Sequence, residues 1–493
     1  MENKQPEIIK GLRLENFIND YISSLEHPFL DNRSRILAPF MNLGKNFARS
    51  LENLLGSSIY INKRPSPLDH IPPKFRKVAA RLAEAGILTR CYRLEAIPDW
   101  PEIPVFQLTC GRLNAHGCAL SYEEAFQKAT AECMERHSLM VYDPKKFTHG
   151  TWEKLEPQSA LDPRLFCGFS DHQLQEEGYA RHRLDENPEF MWTETKSIFD
   201  QKKYLIPAQL VYLGYRNERE EPLIRQTTTN GAAAGSSWEM ALYNALCETV
   251  ERDSFMIHWL NKITPPRIDL AGVSDGYIRR LWSEYKKFDV DLAVFDITTD
   301  LKIPTVLTVI RDSSPQRIKV YVAPRTDLDV ERAIRSSLYE AQMPGVVAAA
   351  TTDAIKIINE KGNENIGNIE DRRTYWSDPA RLKEASFLYG GALGELRTNE
   401  YRGANFKKKL PVLKEILKNA GLDAYAAEVT TPLAKELGLT VLTSLVPGLY
   451  PLYLDEHYKY LGIKRLYEAP VRMGVLEKPK KEEEMNPIPH PML

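Results

Sequence analysis

The sequence predicts an α+β protein in which helices flank β-sheets. Strand-like segments alternate with long helical patterns along the chain, which indicates sheets that carry helices. One helical pattern, Ala-x3-Ala-x2-Glu-x2-Glu-Arg, occurs twice at positions offset by 116 residues. Two such helices are expected to face one site.

Bulk composition indicates an ordinary globular protein. The chain has 493 residues, 43% of them hydrophobic and 27% charged, with a formal net charge of −2. This charge argues against a general nucleic-acid or membrane-surface role, which usually needs a basic excess. No apolar run has the length of a membrane span, and the first residues lack the apolar core of a signal peptide. A cytoplasmic location is therefore expected.

The N-terminal part is expected to form a separate module. Residues 1–60 are rich in helix formers and aromatics, and prolines interrupt the stretch 62–73. The predicted boundaries are 1–75 for a helical docking region with its linker, and 76–493 for the main domain with a proline-rich tail at 487–491.

The main domain begins with a helical pattern that ends at Gly86. Six segments rich in β-branched and aromatic residues then predict strands. These are 103–113, 204–213, 290–299, 304–312, 318–324 and 440–448.

The cysteines do not indicate a metal or redox site. None of the six forms a Cys-x-x-Cys pair, so a structural zinc is not expected. Cys133 and Cys247 lie inside the repeated helices, where a small buried thiol is the expected role.

The repeated pattern places small and acidic residues on one helix face. At about 100° per residue, Ala125, Ala129, Glu132 and Arg136 fall within a stripe about 60° wide, with Glu135 about 60° further round. The second copy has the same geometry. It consists of Ala241, Ala245, Glu248, Glu251 and Arg252.

A capping box precedes each copy, with Ser121-x-x-Glu124 before the first and Ser236-x-x-Glu239 before the second. The small-residue loop 227–237 also precedes the second copy, and such loops let a backbone approach a phosphate. Neither a Walker A sequence nor a GxGxxG after a strand is present.

Four carboxylates in one pocket require cations, and Mg²⁺ with a polyphosphate fits carboxylate ligands. One Glu-x2-Glu-Arg helix is usually a solvated, charge-paired face. Structural duplication alone would explain the repeated alanines, although it would not explain acids on the same stripe.

The last part of the chain has two biased segments. The charged stretch after residue 355, extending to Arg373, predicts a surface segment or loop. In the tail, Pro487, Pro489 and Pro491 remove amide donors and favour an extended conformation.

These features together resemble the YcaO superfamily of ATP-dependent enzymes that activate peptide backbone amides. The resemblance covers about residues 85–493. The matching segments are 120–138, 230–254, 331–342, 446–454, 465–474 and the tail NPIPHP. The tail resembles more narrowly the azoline-forming cyclodehydratases of thiazole/oxazole-modified peptide biosynthesis. The fold implied is the YcaO-type ATP-binding fold, with the two glutamate helices lining the nucleotide site.

The resemblance also implies residue roles, with ATP and Mg²⁺ as cofactors. Metal ligands would be Glu132, Glu135, Glu248 and Glu251. Nucleotide contacts would be Arg136, Ser236, Asn244, Arg252 and Arg335. Each has a plainer alternative: Ser236 is also a helix-cap candidate, and Asn244 an ordinary surface amide. The proline tail is assigned a catalytic role, with Pro487, Pro489, His490 and Pro491 as its residues and His490 as a candidate general base.

Two departures from the family pattern stand out. Cys118 occupies a position where many relatives carry lysine, so one phosphate contact is either missing or supplied elsewhere. Met492 and Leu493 follow Pro491, where relatives often end on the last proline.

The implied reaction is cyclodehydration of Cys, Ser or Thr in a ribosomal precursor peptide to thiazoline or oxazoline. The implied partners are the precursor and a leader-binding E1-like or ocin-ThiF-like protein, with an FMN-dependent azoline dehydrogenase in the same pathway. A homodimer is compatible with an enzyme of this size. The alternatives are thioamide or amidine formation, a non-catalytic ATP-binding scaffold and a peptide-binding module.

Overall fold

The computed structural model describes residues 63–65 and 71–493, except 97–99, 112, 185–186, 218, 289, 315–316 and 348. The predicted docking region 1–75 lies almost entirely outside the described residues. The domain boundaries therefore stay a prediction.

The strands form three sheets, ordered β1-β2-β3-β4, β12-β11-β10-β9-β13 and β5-β6-β14-β15-β8, with β7 paired to β6. Neighbouring strands are antiparallel except β9 and β13. The strands are β1 Lys63–Pro65, β2 Leu88–Leu94, β3 Val105–Cys110, β4 Leu113–Cys118, β5 Thr148–Thr151, β6 Glu189–Ser197, β7 Lys203–Pro207, β8 Ala232–Gly235, β9 Arg267–Ile268, β10 Asp291–Asp296, β11 Thr305–Arg311, β12 Val320–Thr326, β13 Leu393–Gly394, β14 Tyr425–Glu428 and β15 Thr440–Leu445.

The helices pack on these sheets, and α2 and α5 are the longest of those described. They are α1 Arg76–Glu84, α2 Tyr122–Met140, α3 Trp152–Leu155, α4 Asp171–Gln175, α5 Trp238–Asn261, α6 Gly276–Lys287, α7 Val330–Glu340, α8 Thr352–Lys361, α9 Ile369–Tyr375, α10 Phe406–Asn419, α11 Pro432–Glu436 and α12 Lys464–Arg472. Helix α2 packs on β3, β4 and β8, while α5 packs on β8, β15 and β12. Over the described ranges, no helix has the length and apolarity to span a membrane.

The α+β prediction is confirmed, as are five of the six predicted strands, which correspond to β3, β10, β11, β12 and β15. The segment 204–213 is extended only as far as Pro207, and a 3₁₀ turn follows at Ala208–Leu210. Proline has no amide hydrogen to continue the ladder, so the strand ends there.

For the charged stretch after residue 355, the surface-segment prediction is confirmed over most of residues 356–369, whereas the loop alternative is wrong. The stretch forms α8 and α9, and Arg372 on α9 is 0% exposed. Its guanidinium pairs with Glu456 at 2.9 Å and also donates to the backbone oxygen of Leu454 at 2.8 Å. A buried arginine is tolerated here because its charge is paired with a carboxylate and its two terminal nitrogens donate to backbone oxygens.

The expected free thiol at Cys133 is also wrong, because a disulfide joins Cys133 on α2 to Cys110 at the end of β3. The two Cα atoms lie 5.9 Å apart, a usual separation for a bridged pair. Cys247 is a buried free thiol as expected, and burial raises the pKa of this thiol.

Candidate active site

The repeated pattern belongs to a strand–helix unit that occurs twice, as β4 with α2 and as β8 with α5. Its alanines let the preceding strand approach the helix backbone. A Cβ atom added at Gly117 on β4 would lie 2.0 Å from the carbonyl oxygen of Ala125, and one at Gly235 on β8 would lie 2.5 Å from the amide nitrogen of Ala241. Close strand–helix packing therefore explains the small residues of the pattern. It does not explain the glutamates.

The two helix starts are capped by serine side chains, although one differs from the expectation. Ser121 accepts the amide hydrogen of Glu124 at 3.2 Å. In α5 the capping residue is Ser237, which accepts from Met240 at 3.2 Å, and not Ser236. Ser236 is exposed immediately before the helix, so its hydroxyl is available to a ligand.

Substituting these adjacent serines should separate their roles. Ser237→Ala is expected to lower the free energy of unfolding by about 1 kcal/mol, the usual effect of losing an N-cap. Ser236→Ala should leave stability unchanged and weaken nucleotide binding. Urea unfolding and titration with a fluorescent ATP analogue measure the two effects. An unchanged nucleotide affinity in Ser236→Ala would remove Ser236 from the site.

On α2 the acidic residues have separate partners. The Oε1 atom of Glu132 lies 2.6 Å from the Arg136 guanidinium, and Oε2 accepts the backbone amide hydrogen of His116 at 3.0 Å. Glu135 lies about one helical turn after Glu132 and accepts a hydrogen bond from the backbone of Ala234 on β8. The strand of the second unit therefore contacts the acidic face of the first.

On α5 the same pattern recurs with an additional cation. Arg252 donates to Glu248 at 2.8 Å and lies 3.3 Å from Glu251. Glu251 is 2% exposed and is also 3.2 Å from Arg325 on β12. The backbone amide of Thr326 donates to its other oxygen at 3.3 Å.

The acidic faces of α2 and α5 converge. Burial, followed by the charges of Glu248 and Glu132, raises the pKa of the Glu135 carboxyl well above its ordinary value. Burial and the charge of Glu251 similarly raise the pKa of Glu248, against the effect of Arg252. An effect of Glu248 on Glu135 requires the two helices to present their carboxylates to one region.

The donor set fits a magnesium polyphosphate. Mg²⁺ is usually held by one or two carboxylates together with phosphate oxygens and water. Within the described ranges, no three His, Cys, Asp or Glu side chains are arranged as a ready metal cage, and the arginines neutralise the carboxylates instead. The Nε–H groups of Arg136 and Arg252 are buried, and among the described residues neither has an acceptor. Phosphate oxygens would supply acceptors for both, and Glu132, Glu135, Glu248 and Glu251 would hold the metal.

Two cations at this site were not predicted from the sequence. Arg325 contacts Glu251 and Glu340, and no local pattern marks it, because 74 residues separate it from Glu251. Lys128 lies on the acidic side of α2, four residues before Glu132, so helical periodicity could have found it.

Lys128 brings an ammonium group to the position of Cys118. Its Nζ donates to the backbone oxygen of Cys118 at 3.1 Å and lies 4.3 Å from the centre of the Tyr339 ring. Burial lowers the pKa of this lysine. Although Cys118 replaces the lysine of many relatives, a lysine amine therefore still lies beside it.

Asn244 and Arg335 differ in how well they fit the predicted site. Asn244 is half-buried on α5, one turn before Glu248, and its amide has no hydrogen-bond partner in the described part of the chain. Arg335 on α7 instead pairs with Asp275 at 3.5 Å and lies near the Tyr277 ring. The structure does not bring Arg335 to the four glutamates, and both nucleotide contacts stay predictions.

The proline tail threads through the protein interior. Pro487 is exposed, whereas Pro489, His490, Pro491 and Met492 are buried. Three buried side chains hold its backbone oxygens: Trp259 donates to Ile488 at 3.0 Å, Trp376 to Pro489 at 3.2 Å and Arg372 to His490 at 2.8 Å. At the end of this path the sulfur of Met492 lies 2.8 Å from the Arg252 guanidinium, so the tail reaches the carboxylate cluster.

The environment of His490 does not suit a general base. Its ring is 0% exposed, and Nε2 is 2.7 Å from the backbone oxygen of Tyr453. Burial and the nearby Arg372 charge hold the pKa of His490 well below its ordinary value, so the imidazole is a weak base without access to substrate. The structure gives His490 an anchoring role in place of the predicted proton transfer.

Comparisons with known proteins agree with this geometry. An uncharacterized protein of Methanothermobacter thermautotrophicus is 24% identical over 353 residues, covering 70% of this chain and 82% of that protein. A heterocyclase in complex with substrate and cofactor matches with a TM-score of 0.69 at 22% identity, covering 87% of this chain. YcaO from Methanopyrus kandleri, bound with AMPPCP and Mg²⁺, matches with a TM-score of 0.55 at 18% identity, covering 76% of this chain and 90% of that one.

At these identities the solved structures show a shared fold, and this chain spans 59% of the heterocyclase. The family model described as YcaO cyclodehydratase, ATP- and Mg²⁺-binding, matches residues 116–450, about two thirds of the chain, and includes both glutamate helices. The protein therefore belongs to the YcaO cyclodehydratase family, whose members bind ATP and Mg²⁺.

Proposed function

We propose that this protein converts Cys, Ser or Thr residues of a ribosomal precursor peptide to thiazoline or oxazoline, using ATP to phosphorylate the backbone amide oxygen. The single observation that carries this proposal is the buried proline tail, which ends against Arg252 beside the four glutamates. A nucleotide site alone would fit any ATP-dependent member of the family. A buried tail that reaches this site supports ring formation in particular.

In the proposed reaction, the thiol or hydroxyl of the substrate attacks the preceding amide carbonyl. The resulting oxyanion takes the γ-phosphoryl group of ATP, with release of ADP. Phosphate then leaves with that oxygen, and the C=N bond of the ring forms as the amide proton is lost. An amide oxygen is a very poor leaving group, so phosphorylation makes its departure feasible.

The chain's own residues would position the reacting groups and neutralise the charge on the phosphates. Phosphoryl transfer depends mostly on positioning and electrostatic stabilisation. Arg136 and Arg252 have Nε–H groups aimed at no acceptor, and Lys128 and Arg325 add two further cations. Bound Mg²⁺ would supply charge neutralisation at the phosphates. The 0% exposure of the His490 ring supports another group as the base that accepts the nucleophile's proton.

The proposal includes partners. A separate E1-like or ocin-ThiF-like protein would capture the leader of the precursor, and an FMN-dependent dehydrogenase would oxidise azolines to azoles.

Mass spectrometry tests the proposed reaction directly. A candidate precursor incubated with this protein, its partner and Mg-ATP is expected to lose the mass of one water for each Cys, Ser or Thr cyclised. A gain equal to the replacement of oxygen by sulfur would instead indicate a thioamide. An unchanged peptide mass, together with peptide-independent ATP turnover, would contradict the proposal.

A further inference from the structure

A large cleft opens away from the carboxylate cluster. Its volume is about 1310 Å³, and none of the four glutamates lines it. Arg465 on its wall pairs with Asp253 at 2.8 Å, and Asp253 lies about 140° round α5 from Glu248. Pockets for drug-sized ligands usually measure about 300–1,000 Å³, so this cleft suits an extended chain better than a small molecule.

We name it the Arg225 cleft, because Arg225 is its most unusual lining residue. The side chain is partly buried, and in the described part of the chain it has neither a carboxylate partner nor a hydrogen-bond acceptor. Burial lowers the pKa of this guanidinium, although arginine stays charged in proteins. A guanidinium that lines a cleft and has no carboxylate partner in the described part of the chain is suited to pair with the carboxylate of a ligand.

The other charges of the Arg225 cleft leave a positive excess. Arg465 is paired with Asp253 and Asp300, at 2.8 and 2.6 Å. Arg472 is paired with Asp300 and with Glu468, another lining residue, at 2.8 and 3.0 Å. Lys302 and Lys464 also line the cleft, and no ion pair joins either of them to the residues that the structure describes. With Arg225 they make three unpaired cations against one unpaired carboxylate, that of Asp423.

The rest of the wall of the Arg225 cleft is apolar. Leu165, Phe166 and the segment 446–449 contribute apolar surface. Lys302 adopts a left-handed conformation with φ of 58°, which is costly for a residue with a side chain. Apolar surface between separated cations matches an extended chain whose acidic side chains alternate with apolar ones.

We propose that the Arg225 cleft binds an acidic, extended segment of the peptide substrate, with Arg225 pairing to one of its carboxylates. This proposal rests on the proposed function for the identity of the peptide. The cations would select acidic residues, and the apolar wall would select the side chains between them. The segment would then be held on the face of α5 opposite the site of phosphoryl transfer.

The test uses two fluorescein-labelled twelve-residue peptides, one repeating Glu-Gly-Leu and the other Gln-Gly-Leu. Fluorescence anisotropy with the full-length protein is expected to show tighter binding of the glutamate peptide, weakening as salt is raised. Arg225→Gln and Lys464→Gln should each weaken that binding about tenfold, and Arg225→Lys should restore part of it. Lys383→Gln, which removes an exposed charge outside the cleft, is the matched control and should bind normally.

Two further measurements separate the possible failures. The melting temperature of Arg225→Gln should stay close to that of the unsubstituted protein, because the substitution breaks no ion pair among the described residues and Arg225 is only partly buried. Its affinity for a fluorescent ATP analogue should be unchanged. Equal binding of the two peptides, or normal binding by folded Arg225→Gln, would overturn the cleft assignment. If Arg225-dependent binding is observed but no ring forms on any precursor, the proposed function fails while the cleft remains an acidic-peptide site.

Discussion

Glu248→Gln is expected to reduce peptide-dependent ATP consumption by about 100-fold or more, because a carboxylate that we propose holds Mg²⁺ at the ATP phosphates is lost. Glutamine keeps the shape of the side chain, and Arg252 keeps its contact with Glu251. The fold should therefore survive, because the substitution introduces no new charge into this buried region. Release of ADP with a peptide substrate measures the effect.

Glu415→Gln serves as the control, since Glu415 is an exposed glutamate on another helix. Glu135→Gln should behave like Glu248→Gln, because their carboxylates influence each other across the two helices. Peptide-dependent ATPase activity near the unsubstituted level in both variants, with unchanged melting temperatures, would remove these glutamates from the metal site.

Deletion of Asn486–Leu493 is expected to stop ring formation and also to lower the free energy of unfolding by at least about 3 kcal/mol. A solvent-exposed tail would have no effect on stability. Here the deletion leaves the buried donors of Trp259, Trp376 and Arg372 without their backbone acceptors, and each unsatisfied buried donor costs about 1–3 kcal/mol. Urea unfolding and mass spectrometry of the peptide product measure the two consequences.

A shorter deletion separates stability from activity. Removing only Met492 and Leu493 retains all three of those hydrogen bonds but removes the contact with Arg252. This variant should lose less stability than the longer deletion, because only the buried Met492 side chain and the partly buried Leu493 leave the core. It should bind nucleotide and form rings more slowly. A normal rate in the shorter variant would show that the contact with Arg252 is not needed, and a normal rate in the folded longer deletion would show that the tail has no part in the reaction.

Local periodicity was sufficient for α1, α2 and α5 and for five of the fifteen described strands, but it missed α8 and α9. Helix α2 begins after Ser121 as expected, and the duplicated stripe identifies the acidic faces of α2 and α5. The cap of α5 was misplaced by one residue, because two adjacent serines have the same local chemistry. Only the backbone path decides that Ser237 caps the helix and leaves Ser236 exposed.

Local sequence patterns could not predict contacts between segments that are distant in the chain. Cys110 and Cys133 are joined although they lie 23 residues apart. Arg325 on β12 reaches Glu251 on α5, and Arg372 is buried although its segment is strongly charged. Each of these side chains is placed by packing between elements, which neither hydropathy nor spacing encodes.

The sequence by itself determined the α+β class, the two acidic helices and their suitability for magnesium and a polyphosphate, because these follow from local propensity and side-chain chemistry. Tertiary structure decided what those helices face, which cations neutralise them and where the proline tail runs. It also places His490, a candidate base in the sequence analysis, in the interior with its ring against the backbone oxygen of Tyr453. The physical reason is that burial and charge pairing depend on neighbours far along the chain, and these fix the pKa and accessibility of each group.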